Sequence, residues 1–275
     1  MLPLKDNIPT RMFPIVTVVI ILINVVVYFG FEKGGLSAPS DDKVVIEYSF
    51  IPYELSHTGK LCGLRAKSAE GVSVRSDSAP LCEGKTVPTT GGQTTIRRVT
   101  DSRDQPSVFL TVFTAMFMHG SLLHIAGNML FLWIFGNNIE DSMGRVKYVL
   151  FYLLGGIAAT LAQFALDPNA AVPNLGASGA IAAVLGGYAL LYPRARVVTL
   201  IFIVFFITLV ELPALLVLGA WFVLQVLDAS SQPVGGGGVA VWAHIGGFVF
   251  GLIAIKLFAS RHDASYDRHS RLPVY

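Results

Sequence analysis

Long uncharged apolar runs alternate with short polar connections along most of the chain. A helix needs about 20 mainly apolar residues to cross the hydrocarbon core of a bilayer. The runs predict six such helices, at about 12–31, 115–137, 148–166, 176–192, 211–228 and 239–257. The pattern therefore predicts an all-α polytopic membrane protein.

One apolar run does not fit this scheme. Residues 197–210 form a run of 14 residues, separated from the next apolar run by Glu211 and Pro213. A run of 10–14 residues is too short to cross a bilayer alone. We interpret it as an interfacial or re-entrant approach to the fifth helix, with an extra crossing as the alternative.

The basic residues of the short connections predict the orientation. They occur before helix one, between helices two and three, after helix four and after helix six: Lys5, Arg11, Arg145, Lys147, Arg194, Arg196, Lys256, Arg261, Arg268 and Arg271. Cytoplasmic loops are enriched in lysine and arginine. A six-helix protein with both termini in the cytoplasm places all of these short segments on that side.

This topology divides the chain into five parts. They are a cytoplasmic N-terminus at 1–11, a first helix at 12–31, an extracytoplasmic segment at 32–107, a core of five further helices at 108–258 and a cytoplasmic tail at 259–275. The first apolar stretch is longer than the 7–15 residues usual in a signal peptide. We therefore interpret it as a retained anchor.

Charge is concentrated in the 32–107 segment. It holds ten of the 20 lysines and arginines and ten of the 18 aspartates and glutamates, although only 14% of the whole chain is charged. Residues 44–46 and 50–52 indicate a short strand or hairpin, and the few aliphatic residues predict no independent core. Cys62 and Cys82 are either free thiols or, in an oxidising compartment, one disulfide. No basic patch indicates a nucleic-acid partner.

Three polar spots interrupt the predicted helices. They are the Gly176-Ala-Ser178-Gly179 sequence, His244 on helix six, and His119, His124 and Asn128 near helix two. Polar and ionisable residues at membrane depth are costly, so they indicate a functional site. In the predicted topology all three spots lie in the outer half of the bilayer.

Serine and histidine together favour nucleophilic hydrolysis. A serine hydroxyl becomes a strong nucleophile when a base accepts its proton, and His244 is the histidine available on helix six. The carboxylate inside an apolar stretch, Glu211, falls near the opposite end of helix five, so we predict a dyad. Asn128, His124 and the Ser178 backbone N–H are candidate donors to an oxyanion.

Small residues at four-residue spacing predict that helices four and six pack closely. The stripes are Gly179, Ala183 and Gly187 on one helix and Gly247 and Gly251 on the other. We assign structural roles to several other polar or aromatic residues. His119 is predicted to support the fold, with support of the oxyanion side as the alternative. Asn24, Gln163 and Gln225 are predicted to bond between helices, and Trp221 and Phe222 to pack or gate.

At these positions the chain resembles the rhomboid family of intramembrane serine proteases. The similar stretches are His119-Gly-Ser-Leu-Leu-His124-Ile-Ala-Gly-Asn128, then Gly136, Glu140, Gly144 and Tyr152, then Gly176-Ala-Ser178-Gly179, and finally Ala243-His244-Ile-Gly-Gly247 with Gly251. The resemblance implies the six-transmembrane-helix rhomboid fold. It implies Ser178 as nucleophile, His244 as base, and His124 and Asn128 at the oxyanion site.

The resemblance also implies a substrate class. Substrates would be membrane proteins cut in or near a transmembrane helix, with no metal or cofactor. The loop at 228–238 and helix five are the expected moving parts for lateral substrate entry. Ala182 departs from the family, because some members have an aromatic there that stacks on the histidine; we therefore predict that a helix-five side chain holds His244. Leu110 and Thr111 stand where many members have Trp-Arg.

Two other functions are compatible with parts of this pattern. An inactive rhomboid-like protein would bind membrane helices without cutting them, but it has no need to keep Ser178, His244 and Asn128 together. A transporter would favour charged pairs or paired broken helices at mid-membrane, which the sequence does not indicate. A bacterial plasma membrane is the predicted location and an organelle the alternative. No pattern indicates an oligomeric state.

Overall fold

A computed structural model describes residues 2–36, 39–76, 79–89, 92–101, 105–203, 206–231 and 240–260. Its α-helices are α1 (Ile15–Val26), α2 (Asp42–Tyr48), α3 (Pro52–Ser56), α4 (Val108–Thr114), α5 (Leu122–Phe131), α6 (Asn137–Met143), α7 (Arg145–Leu166), α8 (Ser178–Leu191), α9 (Ala214–Ser231) and α10 (Val241–Phe258). Most of the predicted 228–238 loop and nearly all of the 259–275 tail lie outside the described residues.

The strands are short and lie outside the helical bundle. They are β1 (Leu2–Asp6), β2 (Cys62–Gly63), β3 (Arg65–Ser68), β4 (Ser73–Arg75), β5 (Leu81–Cys82), β6 (Thr86–Thr89), β7 (Gly92–Val99), β8 (Arg196–Ile203) and β9 (Phe206–Pro213). They form three separate sheets in the described part of the chain, so the all-α prediction holds for the bundle alone.

Each of the six predicted membrane helices corresponds to a helix in the structure. A π-turn extends α1 to Phe31, and another joins α5 to α6 in a single helix, Leu122–Met143. Among the described residues, Leu122–Met143, Arg145–Leu166 and Val241–Phe258 are long and apolar enough to cross a membrane. The helices Ile15–Phe31, Ser178–Leu191 and Ala214–Leu227 are apolar but shorter.

The N-terminus of α1 is capped from a distant helix. The Glu140 carboxylate, in the middle of α6, accepts from the Val16 N–H at 3.0 Å and from the Thr17 N–H and Oγ1 at 2.8 Å each. The first N–H groups of a helix have no partner within the helix. A buried carboxylate there satisfies them and interacts favourably with the helix dipole. This contact fixes α1 against the core.

The 197–210 run forms two paired strands rather than a membrane-crossing segment, and its interfacial position stays a prediction. β8 pairs with β9 in antiparallel register from Arg196 opposite Pro213 to Ile203 opposite Phe206. β1 adds to the free edge of β8. The extra crossing is therefore wrong, and the N-terminal 1–11 segment contributes a strand.

One face of this sheet packs on the end of the bundle. Val197 and Thr199 are fully buried, and Asp6 is nearly so. The Asp6 carboxylate accepts from the Tyr188 hydroxyl on α8 and from the Asn138 amide on α6, both at 2.6 Å. The sheet is thus tied directly to α8.

The 32–107 segment is folded, contrary to the expectation of no core. Residues 42–48 and 52–56 are helices rather than a strand or hairpin. Two small apolar clusters form, one around Ile46, Ile51 and the cysteines and one around Ala66, Leu81 and Ile96. Cys62 and Cys82 are bridged, with an S–S distance of 2.01 Å. The covalent link and the sheet β4-β3-β7-β6 compensate for the small apolar area.

This folded segment docks on the connection between α7 and α8. The Tyr53 N–H donates to the Ala170 carbonyl at 2.9 Å, and Phe50 and Asn174 exchange both backbone hydrogen bonds. Ser56 Oγ donates to the Pro168 carbonyl at 2.6 Å. The segment therefore restrains the loop that leads into α8.

Candidate active site

The side chains of Ser178 and His244 meet between α8 and α10. His244 Nε2 lies 2.7 Å from Ser178 Oγ, within hydrogen-bonding distance. His244 is 8% exposed, so the imidazole is largely shielded by protein. The two side chains are therefore close enough for the serine–histidine hydrogen bond that the two motifs predict.

Direct backbone contact between the two helices makes this approach possible. A Cβ added at Gly247 would lie 2.2 Å from the Gly179 carbonyl oxygen, and one at Gly251 would lie 2.0 Å from that of Ala183. The reciprocal contact occurs on α8, where a Cβ added at Gly186 would lie 2.1 Å from the Phe248 carbonyl oxygen. The small-residue stripes therefore meet as predicted, and glycine is required where they cross.

Ser178 is the first residue of a short helix. With 14 residues at 1.5 Å each, α8 is about 21 Å long, less than the roughly 30 Å hydrocarbon core. The N-terminus of a helix has unpaired N–H groups and a partial positive charge. Both are directed towards the site where a negative charge would form on a substrate attacked by Ser178.

Gly176 sets the geometry just before this helix, a role that the motif alone did not reveal. Its φ is +118°, and a Cβ there would lie 2.8 Å from His124 Nε2 and 3.6 Å from Ser178 Oγ. The Gly176 N–H donates to the Ala115 carbonyl at 2.8 Å. A side chain at 176 would push His124 away from the serine.

Asn128 and His124 line the same cavity as the serine and the histidine. The cavity has a volume of about 720 Å³ and is also bordered by Trp221. Asn128 is 8% exposed, and its Nδ2 has no hydrogen-bond acceptor among the described residues. A buried amide donor without a partner is costly, so Asn128 is available to an oxygen atom bound in the cavity.

His119 lies behind His124 and does not line the cavity. The two rings are in edge contact, with centroids 5.0 Å apart. Both Glu32 oxygens accept from the His119 N–H, at 2.9 and 3.0 Å, and Ser40 Oγ donates to the His119 carbonyl. The supporting role of His119 stays a prediction.

Glu32 was not recognised from the sequence, because it stands at the start of a charged segment. It is fully buried, and burial raises the pKa of its carboxyl to about 6 despite the hydrogen bonds from His119 and Ser40. It joins the end of the first helix to the loop before α5. The two parts of the chain are therefore coupled next to the oxyanion side of the cavity.

Helix α9 supplies the side chain that holds His244. Gln225 Oε1 lies 2.7 Å from His244 Nδ1, and the Trp221 ring lies 5.8 Å from the imidazole between ring centroids. Ala182 is fully buried and makes no ring contact. The structure thus has the helix-five neighbour that the departure at Ala182 predicts, and Gln225 bonds between helices as expected.

A protein-family comparison accounts for this combination of fold and site. The Rhomboid domain model matches residues 106–261, which is more than half of the chain. This chain belongs to the rhomboid family. The matched region contains α4 to α10 and all of the residues that line the cavity. The family resemblance inferred from the motifs is confirmed.

Several relatives are rhomboid proteins of mitochondria and bacteria. The chain is 28% identical over 158 residues to Rhomboid protein 1, mitochondrial, of Saccharomyces cerevisiae, covering 55% of this chain and 42% of that protein. It is 28% identical over 162 residues to the mouse Presenilin-associated rhomboid-like protein, mitochondrial, an alignment that covers 58% of this chain and 41% of that protein. It is 40% identical over 81 residues to Rhomboid protease GluP of Bacillus subtilis, an alignment that covers 30% of this chain and 15% of that protein.

These alignments span less than half the length of each relative. The family membership and the apolar helices together make this a membrane protein. The mitochondrial names among the relatives give no support to the predicted bacterial plasma membrane. Among the described residues no group of three or more histidine, cysteine or acidic side chains is arranged to hold a metal ion.

Proposed function

We propose that this chain is an intramembrane serine endopeptidase that cleaves membrane proteins with a Ser178–His244 dyad. The observation that carries the proposal is the 2.7 Å contact between Ser178 Oγ and His244 Nε2 at the wall of a cavity that also holds an unpartnered Asn128 amide. The retention of nucleophile, base and donor in one cavity favours catalysis over simple binding of membrane helices.

The reaction proceeds in two stages. As Ser178 Oγ bonds to the scissile carbonyl carbon, its proton passes to His244 Nε2, and the carbonyl oxygen becomes an oxyanion. His244 then donates that proton to the leaving nitrogen as the C–N bond breaks. Water, activated by the same imidazole, hydrolyses the resulting acyl-enzyme. One histidine thus acts first as a base and then as an acid.

The oxyanion is stabilised by two kinds of donor. The backbone N–H groups at the start of α8 act together with the helix dipole. The Asn128 amide and the His124 ring, which line the same cavity, are the side-chain donors. A single such donor contributes about 3 kcal/mol to transition-state stabilisation in serine proteases.

The proposal includes an arrangement in the membrane. The proposed protein crosses the bilayer six times, with both termini on one side and the mouth of the cavity on the other. The folded 32–107 segment then lies on the side of the cavity. Substrates are single-pass or multi-pass membrane proteins, and a scissile bond in a helix must unwind to reach Ser178. Small or helix-weakening residues are therefore preferred near the cleavage site.

The test uses the purified full-length protein in detergent or in lipid vesicles. A single-pass substrate reports cleavage, and a fluorophosphonate probe reports the reactivity of the serine. Ser178→Ala and His244→Ala should lower cleavage by about 10⁴-fold or more, and Ser178→Ala should abolish labelling. Asn128→Ala should lower kcat by about 10²-fold.

Ser142→Ala is the matched control. Ser142 is also a buried serine, but its hydroxyl donates to the Ile139 carbonyl at 2.8 Å and does not line the cavity. This variant should cleave and label like the parent. If the folded parent neither cleaves nor labels, the chain is a helix-binding member of the family instead. If Ser178→Ala cleaves at the parent rate, the dyad is wrong.

A further inference from the structure

His244 is restrained on one side by α8 and on the other by α9. Its Nε2 faces Ser178 at 2.7 Å, and its Nδ1 faces Gln225 Oε1 at 2.7 Å. Each ring nitrogen therefore has a partner on a different helix. Ala182, four residues after Ser178 on α8, has no ring that could stack on the histidine.

The Gln225 contact decides which nitrogen holds the proton. An amide oxygen only accepts hydrogen bonds, so the nitrogen facing it must carry the hydrogen. In the neutral ring the other nitrogen, Nε2, then has the free electron pair. That pair faces Ser178 Oγ, which is the arrangement that proton removal from serine requires.

Resting on the proposed dyad, we infer that Gln225 is a positioning residue that fixes the tautomer and orientation of His244. It occupies the place that a carboxylate has in a Ser-His-Asp triad. A neutral amide does this without burying a second charge, which is costly in a low-dielectric site. The serine-histidine pair is thus extended by a third, uncharged member.

The position of Gln225 couples the base to α9. Trp221 and Phe222 of α9 both pack on Phe248 of α10, with ring centroids 6.2 and 4.6 Å apart. The Ser178–His244 contact depends instead on α8 and α10, which touch through backbone atoms. An outward displacement of α9 removes Gln225 from Nδ1 and leaves the serine and the histidine adjacent. The histidine is then free to adopt the unproductive tautomer.

Few other titratable groups surround the imidazole. Among the side chains that line the cavity, His124 is the other one that can titrate. On α7, the neighbouring polar side chain is Gln163, whose Oε1 accepts from the Ala243 N–H at 3.3 Å. A charge introduced at 225 therefore acts mainly on His244, and a pH profile is a direct readout of the contact.

The experiment compares Gln225→Leu, Gln225→Glu and Gln163→Leu in the full-length protein. Gln163→Leu is the matched control, because it removes an interhelical amide bond to α10 one residue from His244 without touching the ring. Gln225→Leu should lower kcat about 10- to 100-fold with little change in KM, less than the 10²–10⁴-fold that a general base provides. Its fluorophosphonate labelling rate should fall by a similar factor.

Gln225→Glu tests the mechanism rather than the fold. A carboxylate at Nδ1 stabilises the imidazolium, so the acid limb of the kcat/KM profile should move to higher pH by about one unit or more. Above that limb the variant should recover kcat relative to Gln225→Leu. Gln163→Leu should keep the parent profile.

Two results would overturn the inference. One is equal kcat for Gln225→Leu and Gln163→Leu at equal thermal stability. The other is a Gln225→Glu profile that superimposes on that of the parent. These outcomes differ from a failure of the proposed function, in which the parent itself neither labels nor cleaves.

Discussion

Gly247 offers the sharpest test of how the site is assembled. Its hydrogen atoms face the backbone of α8, and a Cβ there would lie 2.2 Å from the Gly179 carbonyl oxygen and 3.3 Å from the Ala182 Cβ. The Gly247→Ala variant adds that one carbon atom. Since the closest neighbour is backbone, the clash is relieved by moving the two helices apart.

The required movement can be worked out from these distances. Non-bonded heavy atoms are in favourable contact at roughly 3.5 Å, so α8 and α10 must separate by about 1 Å. His244 lies less than one turn from Gly247, and the Ser178–His244 distance of 2.7 Å would increase beyond the hydrogen-bonding range. A misplacement of about 1 Å costs on the order of 10²-fold in rate. Overpacking also destabilises by roughly 1–3 kcal/mol.

The assay measures fluorophosphonate labelling, substrate cleavage and thermal unfolding of the same preparations. Gly219→Ala is the matched control, because it makes the same change within helix α9 but the added Cβ meets nothing within 4 Å. It should keep the parent activity and gain a few tenths to about 1 kcal/mol of stability. Parent-like labelling and cleavage by Gly247→Ala would refute the close-packing argument.

Three further predictions concern stability. Glu140→Ala removes the acceptor of three hydrogen bonds at the start of α1 and should lower the free energy of unfolding by roughly 2–4 kcal/mol; an unchanged denaturation midpoint would contradict it. The double variant Cys62→Ser, Cys82→Ser opens a link with a sequence separation of 20 and should destabilise the 32–107 segment by roughly 3 kcal/mol, seen as faster proteolysis there; equal protease resistance would argue against it. Burial raises the pKa of Asp6 from 3.8 to about 6, so its contribution to stability is complete below about pH 4 and is lost as the pH rises through 6. Asp6→Asn should therefore flatten the pH dependence of unfolding between pH 4 and 7, and an unchanged slope would exclude this role.

The sequence was sufficient for the residues that meet in the cavity. Few polar groups lie at membrane depth. Because each connection reverses the direction of the chain, the connections determine which helix ends lie on the same side of the membrane. Ser178, His244, His124 and Asn128 are therefore predictable from the sequence as members of one site, and all four line the same cavity. The glycine stripes were recognisable for the same reason, since four-residue spacing places them on one helix face.

Other features depend on partners far away in the chain. Residues 197–210 are uncharged and mostly apolar, and a short apolar run does not distinguish a buried strand from a helix. Its outer partner, β1, is about 190 residues earlier, and no local pattern indicates that pairing. The 42–56 helices and the Glu32 contact with His119 likewise depend on tertiary packing. The sequence indicated that Gln225 forms a hydrogen bond between helices, but it did not indicate that the partner is His244.

The restraints on the site differ in how easily they can be released. The serine is held by backbone contacts between α8 and α10, and the oxyanion side is held by Glu32 and Ser40 through the His119 backbone. The first cannot change without separating packed main chains, and the second is made by buried side chains bonded to a main chain. The Gln225 contact joins two side chains, and it belongs to a helix that meets α10 through aromatic rings. Of these three restraints, the one on the base is therefore the easiest to lose, so substrate entry beside α9 would affect proton transfer before it affected the position of the nucleophile.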